Sequence, residues 1–199
     1  MPKVSYPRSS PVLDMTPMVD LAFLLVTFFM LTTKFRADEP VVVDTPSSVS
    51  EIKLPDIDIM TITINPDGGC FFNIDGQKNR EQVLLKMGER YKIPFSPKEV
   101  KRFTVLSSFG LSMTDLKTYL PLDEEARKRI PQKGVPMDSL NNQLSDWIRF
   151  SRLQNPQFRI AVKGDRETDY KAVKRVIDIL QENKVNKFNL ITNLEQNKK

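Results

Sequence analysis

The feature that most constrains this chain is an apolar run near its N-terminus, TPMVDLAFLLVTFFMLTT, from Thr16 to Thr33. A helix over residues 16–35 would be about 30 Å long, which matches the hydrocarbon core of a bilayer. The run contains a single charged residue, Asp20. An ionised carboxylate is costly in that environment, so Asp20 indicates a path for protons or ions through the membrane.

The rest of the chain has the composition of a water-soluble protein. Charged residues make up 28% of its 199 residues and the mean hydropathy is −0.35, so we predict one membrane helix and one soluble domain. Histidine is absent and Cys70 is the only cysteine, which excludes an intramolecular disulfide and the usual zinc sites.

Basic and acidic residues are interspersed despite a net charge of +5, so nucleic-acid binding is not predicted. No nucleotide-binding loop or nucleophile motif occurs, so we predict no enzymatic activity, no metal and no cofactor.

A cleaved signal peptide is the alternative interpretation of the apolar run. The run is longer than the apolar region of about 7–15 residues in such peptides, and Lys34-Phe35-Arg36 is a poor cleavage site. We therefore predict a tail over 1–15, a transmembrane helix over 16–35 and an extended linker over 36–57. Thr16 is the predicted N-cap of the helix, and Pro17 takes its first position.

Residues 58–199 read as an α+β domain. Alternating apolar residues over 58–65, a Pro-Asp-Gly-Gly turn and a second apolar run predict a β-hairpin. The C-terminal pattern of strand, helix and strand predicts a βαβ unit. The predicted fold class is a single N-terminal transmembrane helix plus an α+β soluble domain, whose mixed sheet carries its helices on one face. The predicted helices include 81–91 with Asn79 as N-cap, 138–151 with Leu140 and Trp147 on its apolar face, and one after Asp169 with Tyr170 and Val176 on the same side.

Polar residues of the membrane segment share one side of the predicted helix. Thr16, Asp20 and Thr27 are spaced by four and seven residues, and the positions between the last two are mostly apolar. A polar stripe in a membrane favours contact with protein or water over lipid. The alternative is a carboxylate that lies at the bilayer surface without a role.

The same region carries a family resemblance. The sequence Leu13-Asp14-Met15-Thr16-Pro17-Met18-Val19-Asp20, followed by the apolar run, resembles the motif of the ExbD/TolR family of biopolymer-transport proteins. Two further segments are similar to the family: Ile52-Lys53-Leu54-Pro55, and the stretch from Val162 through Asp169-Tyr170 into the helix that follows. The similarity covers roughly residues 12–85 and 156–194.

The resemblance implies a proton-motive-force-driven stator subunit in the inner membrane. It implies a cytoplasmic N-terminus, a periplasmic domain, and a dimer inside a pentameric ExbB-like polytopic protein, with a TonB-like energy-transducing partner. Asp20 would translocate protons, which are the coupling ion, with Thr16, Pro17 and Thr27 in support. Ile52, Lys53, Leu54 and Pro55 form a candidate strand-addition segment. The alternative is a TolR-like membrane-anchored protein that binds cell wall or an envelope protein without conducting protons.

The chain departs from the family pattern over about 86–150, where we predict an insertion. Its helix with Trp147 is interpreted as local core, although a partner contact is the alternative. Asp123-Glu124-Glu125 can be read as a metal-binding cluster or, preferably, as an acidic helix start. Asp165 and Asp169 are interpreted as loop and capping residues, and Cys70 as a small buried hydrophobe.

Overall fold

The chain divides into two units, Met1–Arg36 and Ala37–Lys199, in the computed structural model. The residues that the structure describes are 14–32, 43, 47–48, 58–138, 141–165, 167–191 and 193–194. In chain order the elements are α1 (Thr16–Thr32), β1 (Ser47–Ser48), β2 (Ile59–Ile64), β3 (Cys70–Ile74), α2 (Gln77–Tyr91), α3 (Pro97–Val105), α4 (Met113–Tyr119), α5 (Glu124–Lys128), β4 (Met137–Asp138), β5 (Asn141–Asn142), α6 (Gln143–Gln154), β6 (Arg159–Gly164), α7 (Tyr170–Glu182), β7 (Phe188–Ile191) and β8 (Asn193–Leu194).

The first unit contains α1, a helix of 17 residues. Within the described part of the chain, no helix combines the length and the apolar character that crossing a bilayer requires. The last three residues of the predicted span, 33–35, lie outside the described residues.

The second unit is built on a four-stranded sheet in the order β3-β2-β6-β7. β2 and β3 pair antiparallel, with Ile64 opposite Cys70, whereas β6 is parallel to both β2 and β7. The sheet is therefore mixed, which confirms the predicted hairpin and the C-terminal βαβ unit. A short parallel pair, β1 with β8, joins the linker to the C-terminal end of the unit.

One face of this sheet forms the core. Met60, Ile62 and Ile64 alternate with half-exposed threonines along β2, as the two-residue period of a strand requires. The core cluster joins that face to residues of three long helices, and none of its members comes from the opposite face. Its helical members from α2, α6 and α7 are Val83, Leu84, Met87, Leu144, Trp147, Ile148, Val176, Ile179 and Leu180. The helices thus cover one face, as predicted.

Two helix starts differ from the prediction. α2 begins at Gln77 with Gly76 as its N-cap residue, so Asn79 lies within the first turn, where its Nδ2 donates to the Asp75 carbonyl at 3.2 Å. α6 begins at Gln143, because residues 137–138 pair with β5 and Asn142 accepts a capping hydrogen bond from the Ser145 N–H at 3.1 Å. Leu140 lies outside the described residues. In α7 Val176 is fully buried, whereas Tyr170, the first helical residue, is 74% exposed although the sequence pattern put both on one side.

The predicted insertion belongs to the core. The Trp147 ring is fully buried; it stacks on Phe103 at a centroid distance of 5.9 Å and meets Phe109 edge-on at 4.9 Å. α4, which the sequence analysis did not predict, adds the buried Leu116, and the Arg102 guanidinium donates to the Leu120 carbonyl at the C-terminal end of α4. The interpretation of the Trp147 helix as local core is therefore confirmed.

Candidate functional site

The candidate site in the first unit lies on α1, whose N-terminal end is held by hydrogen bonds to Asp14. Asp14 Oδ1 accepts hydrogen bonds from the Thr16 backbone N–H at 3.0 Å and from the Thr16 hydroxyl at 2.5 Å. These bonds, the hydroxyl bond first, lower the pKa of Asp14 below its ordinary value. The capping side chain is thus Asp14, and the prediction of Thr16 as N-cap is wrong. Thr16 and Pro17 are the first two helical residues, where a missing N–H costs no intrahelical bond.

Asp20 is the only charged residue within α1. It lies about 6 Å along the helix axis from Thr16 and about 10 Å before Thr27. In the described part of the chain its carboxylate has neither a hydrogen-bond donor nor a cation as partner. Asp14, six positions earlier, accepts two hydrogen bonds. The two carboxylates near this end of the helix therefore differ: that of Asp14 is hydrogen-bonded and, within the described ranges, that of Asp20 is not.

Two threonines of α1, Thr27 and Thr32, donate hydrogen bonds to carbonyls of their own helix. The Thr27 hydroxyl donates to the Phe23 and Leu24 carbonyls, both at 3.0 Å, and the Thr32 hydroxyl donates to the Phe28 carbonyl at 2.8 Å. Such bonds are a common way for threonine to be accommodated inside a helix. Thr16, Asp20 and Thr27 lie within about 40° of one another around α1. Of these three, Asp20 alone is left without a partner among the described residues.

The side of α1 next to this stripe is apolar. It is lined by Met15, Met18, Val19, Ala22, Phe23 and Val26. Most of these side chains are more than half exposed in the single chain, as are the other large apolar side chains of α1. Asp20 is therefore surrounded along its helix by apolar groups, none of which can balance a charge.

The predicted strand-addition segment, Ile52 to Pro55, lies outside the described residues. Two described parts of the linker are buried or paired within the second unit. Val43 is 6% exposed, and β1 pairs with β8 so that Ser47 is opposite Asn193. The linker therefore forms at least one strand pairing, at residues that the sequence did not single out.

The weaker candidates of the second unit have structural roles. Asp169 accepts a hydrogen bond from the Lys171 N–H at 3.1 Å and caps α7, while Asp165 Oδ1 accepts from the Glu167 N–H at 2.9 Å. Cys70 is fully buried, and burial raises the pKa of its thiol to about 12, so it is not a nucleophile at neutral pH.

The acidic cluster at Asp123 starts a helix. α5 follows it directly, and its residue Glu124 forms an ion pair with Lys128 at 3.2 Å. No group of potential metal ligands occurs in the part of the chain that the structure describes. The start of α5 directly after Asp123 supports the interpretation of Asp123-Glu124-Glu125 as an acidic helix start.

Comparison with known proteins identifies a family for this chain. A family model described as "Biopolymer transport protein ExbD/TolR" matches residues 7–195, nearly the whole chain. No curated protein and no solved structure matches the chain. The matched range includes α1 with Asp20, the linker, the sheet and the predicted insertion, so the resemblance drawn from short motifs holds over almost the full length.

Proposed function

The chain belongs to the ExbD/TolR family of biopolymer transport proteins, and we propose on that basis that it is the stator subunit of a proton-motive-force-driven motor in the inner membrane. The family implies a role in coupling energy to transport. In our proposal the chain performs that role by taking up and releasing protons at Asp20.

The proposed arrangement follows from α1 and from family membership. α1 and the residues after it cross the inner membrane, with the N-terminus in the cytoplasm and the sheet-containing unit in the periplasm. Two copies lie inside a pentameric ExbB-like polytopic protein, and the periplasmic unit acts on a TonB-like energy-transducing partner. The uncharged, apolar surface of α1 around Asp20 supports burial against other membrane helices.

The observation that carries the proposal is the unpaired carboxylate of Asp20 in an apolar helix. Desolvation of an ionised carboxylate is unfavourable, so a proton relieves the cost when the partner surrounds Asp20. Moving one charge through 100 mV is worth about 2.3 kcal/mol. A few protons therefore supply enough energy to change the contacts between α1 and the surrounding ring.

The test is an Asp20→Asn variant, which keeps the shape of the side chain but cannot exchange a proton. We expect normal assembly with a complete loss of energised uptake in cells. Asp14→Asn is the matched control, because it makes the same chemical change six residues earlier and asparagine also caps helices well. Energised uptake at the normal rate in the Asp20→Asn strain would refute the proposal.

Affinity purification separates this function from a membrane-anchored binding protein. The stator requires a stoichiometric multi-span partner after solubilisation of the membrane. Recovery of the chain with cell wall or an envelope protein, and without any multi-span partner, would favour the TolR-like alternative.

The segment Ile52, Lys53, Leu54 and Pro55 is part of the proposal as a strand that joins the sheet in one state and leaves it in another. The parallel pairing of β1 with β8 supports this, because it shows that another part of the linker, residues 47–48, pairs with a strand of this unit. Hydrogen exchange of residues 52–54 tests it. Equal exchange with and without the partner proteins would refute strand addition.

A further inference from the structure

Segments outside the sheet form hydrogen bonds along the outer edge of β3. The Cys70 carbonyl accepts from the Val135 N–H at 2.7 Å, and Phe72 exchanges two hydrogen bonds with Phe109, at 2.8 and 3.0 Å. The Ile74 carbonyl accepts from Arg80 Nε. Because Cys70, Phe72 and Ile74 are the β3 residues that face away from β2, every outward carbonyl of this strand has a partner.

The residues that occupy the edge come mostly from the predicted insertion, and they are tightly fitted. A Cβ added at Gly110 would lie 2.5 Å from the Phe71 ring, and one at Gly134, whose φ is +104°, would lie 2.6 Å from the Cys70 nitrogen. The two segments are also bonded to each other, since the Gly134 N–H donates to the Gly110 carbonyl at 2.8 Å. The Gly110 N–H in turn donates to Gln132 Oε1 at 2.7 Å.

The opposite edge differs. Among the described residues β7 pairs with β6 alone, and β8 follows β7 after one residue. The strand pairing between the linker and the sheet-containing unit, β1 with β8, is found at this end. The unit therefore has one edge covered mostly by the predicted insertion and one end at which residues 47–48 of the linker pair with β8.

We infer that residues 109–110 and 132–135, which we term the edge cap, prevent a second copy of this chain from pairing with β3. An unprotected strand edge is a template for another chain, and β3 of an identical copy would offer a matching antiparallel edge. With the cap in place, strand addition by this unit is confined to the β7–β8 end. This inference concerns the inserted segment and does not depend on proton transfer at Asp20.

The test compares two matched glycine variants of the full chain in detergent. Gly134→Ala forces the cap away from Cys70, whereas Gly164→Ala is the control, because nothing lies within 4 Å of a Cβ at Gly164. Gln132→Ala is a second, milder variant that removes the acceptor of the Gly110 N–H. Hydrogen exchange of the 70–74 amides and light-scattering mass are measured over a range of protein concentrations, with near-UV dichroism of Trp147 to report folding.

We expect the 70–74 amides of Gly134→Ala to lose protection at low concentration and regain it at high concentration, together with a rise in mass. Wild type and Gly164→Ala should keep constant protection and constant mass. If Gly134→Ala loses the Trp147 signal, the same comparison is made with Gln132→Ala. Lost protection without any rise in mass would overturn the inference, as would unchanged exchange in both cap variants.

Discussion

Replacing Trp147 with alanine tests whether the predicted insertion is part of the core or an appended docking module. The side chain is fully buried among Phe72, Phe103 and Phe109, with ring-centroid distances of 4.9 to 6.2 Å. Truncating a buried tryptophan to alanine costs about 3–5 kcal/mol, which includes the aromatic contacts that are lost, and three such contacts put Trp147 at the upper end of this range. We therefore expect a loss of about 4–5 kcal/mol in the free energy of unfolding.

The loss should come from packing alone. The indole Nε1 of Trp147 has no hydrogen-bond partner within the part of the chain that the structure describes, so no hydrogen bond is removed. Leu153→Ala is the control on the same helix, because Leu153 is 63% exposed and should change stability by less than about 0.5 kcal/mol. Urea unfolding followed by far-UV dichroism measures both variants. A loss below about 1 kcal/mol in Trp147→Ala would refute a core role for the insertion.

Three further outcomes follow from side chains of the same unit. Burial raises the pKa of Glu99, but the hydrogen bond from Lys117 at 2.7 Å and its charge help to bring that pKa below the ordinary 4.5. Because the folded-state pKa is depressed, this stabilisation is present at neutral pH and is lost as the pH falls. Lys117→Met should therefore be less stable than wild type above pH 4.5 and converge with it in acid, in urea titrations at several pH values; a constant difference would contradict the pairing. Cys70, with its pKa of about 12, should resist a thiol reagent at pH 8 until denaturant is added, as mass spectrometry would show, and stoichiometric labelling of the native chain would contradict its burial. Arg102→Ala should lower the free energy of unfolding by about 1–3 kcal/mol, since Arg102 donates to the Leu120 carbonyl; an unchanged urea midpoint would show that this contact contributes nothing.

The parts of the fold that could be predicted are those with a local pattern. Alternation over β2, the apolar run of β3 and the turn between them define the hairpin, and β6, α7 and β7 each have a recognisable pattern of apolar residues. The contact between Phe72 and Phe109 joins residues 37 positions apart through a single bridge, which leaves no periodic signal. α4 has seven residues, too few for helical periodicity to be read with the prolines and loops around it.

In the candidate site, too, only the features with a local sequence pattern could be predicted. Asp20 could be identified because the cost of a carboxylate in an apolar helix is a local property of the sequence. The residue that caps the N-terminus of α1 could not be identified from the sequence. Asp14 and Thr16 are both good capping residues, and only the geometry shows which one accepts the hydrogen bonds. An aspartate two positions before a Thr-Pro pair was the available signal. The segment Ile52 to Pro55 stays a prediction.

The most direct test of proton coupling is to observe the Asp20 carboxyl in the complex with its membrane partners. Difference infrared spectra, recorded with and without a proton gradient and compared with Asp20→Asn, distinguish a protonated carboxyl from a carboxylate. We expect a carboxylic C=O band that changes with the gradient and is absent from the Asp20→Asn complex. A spectrum in which Asp20 remains a carboxylate under every gradient would contradict proton transfer at this residue.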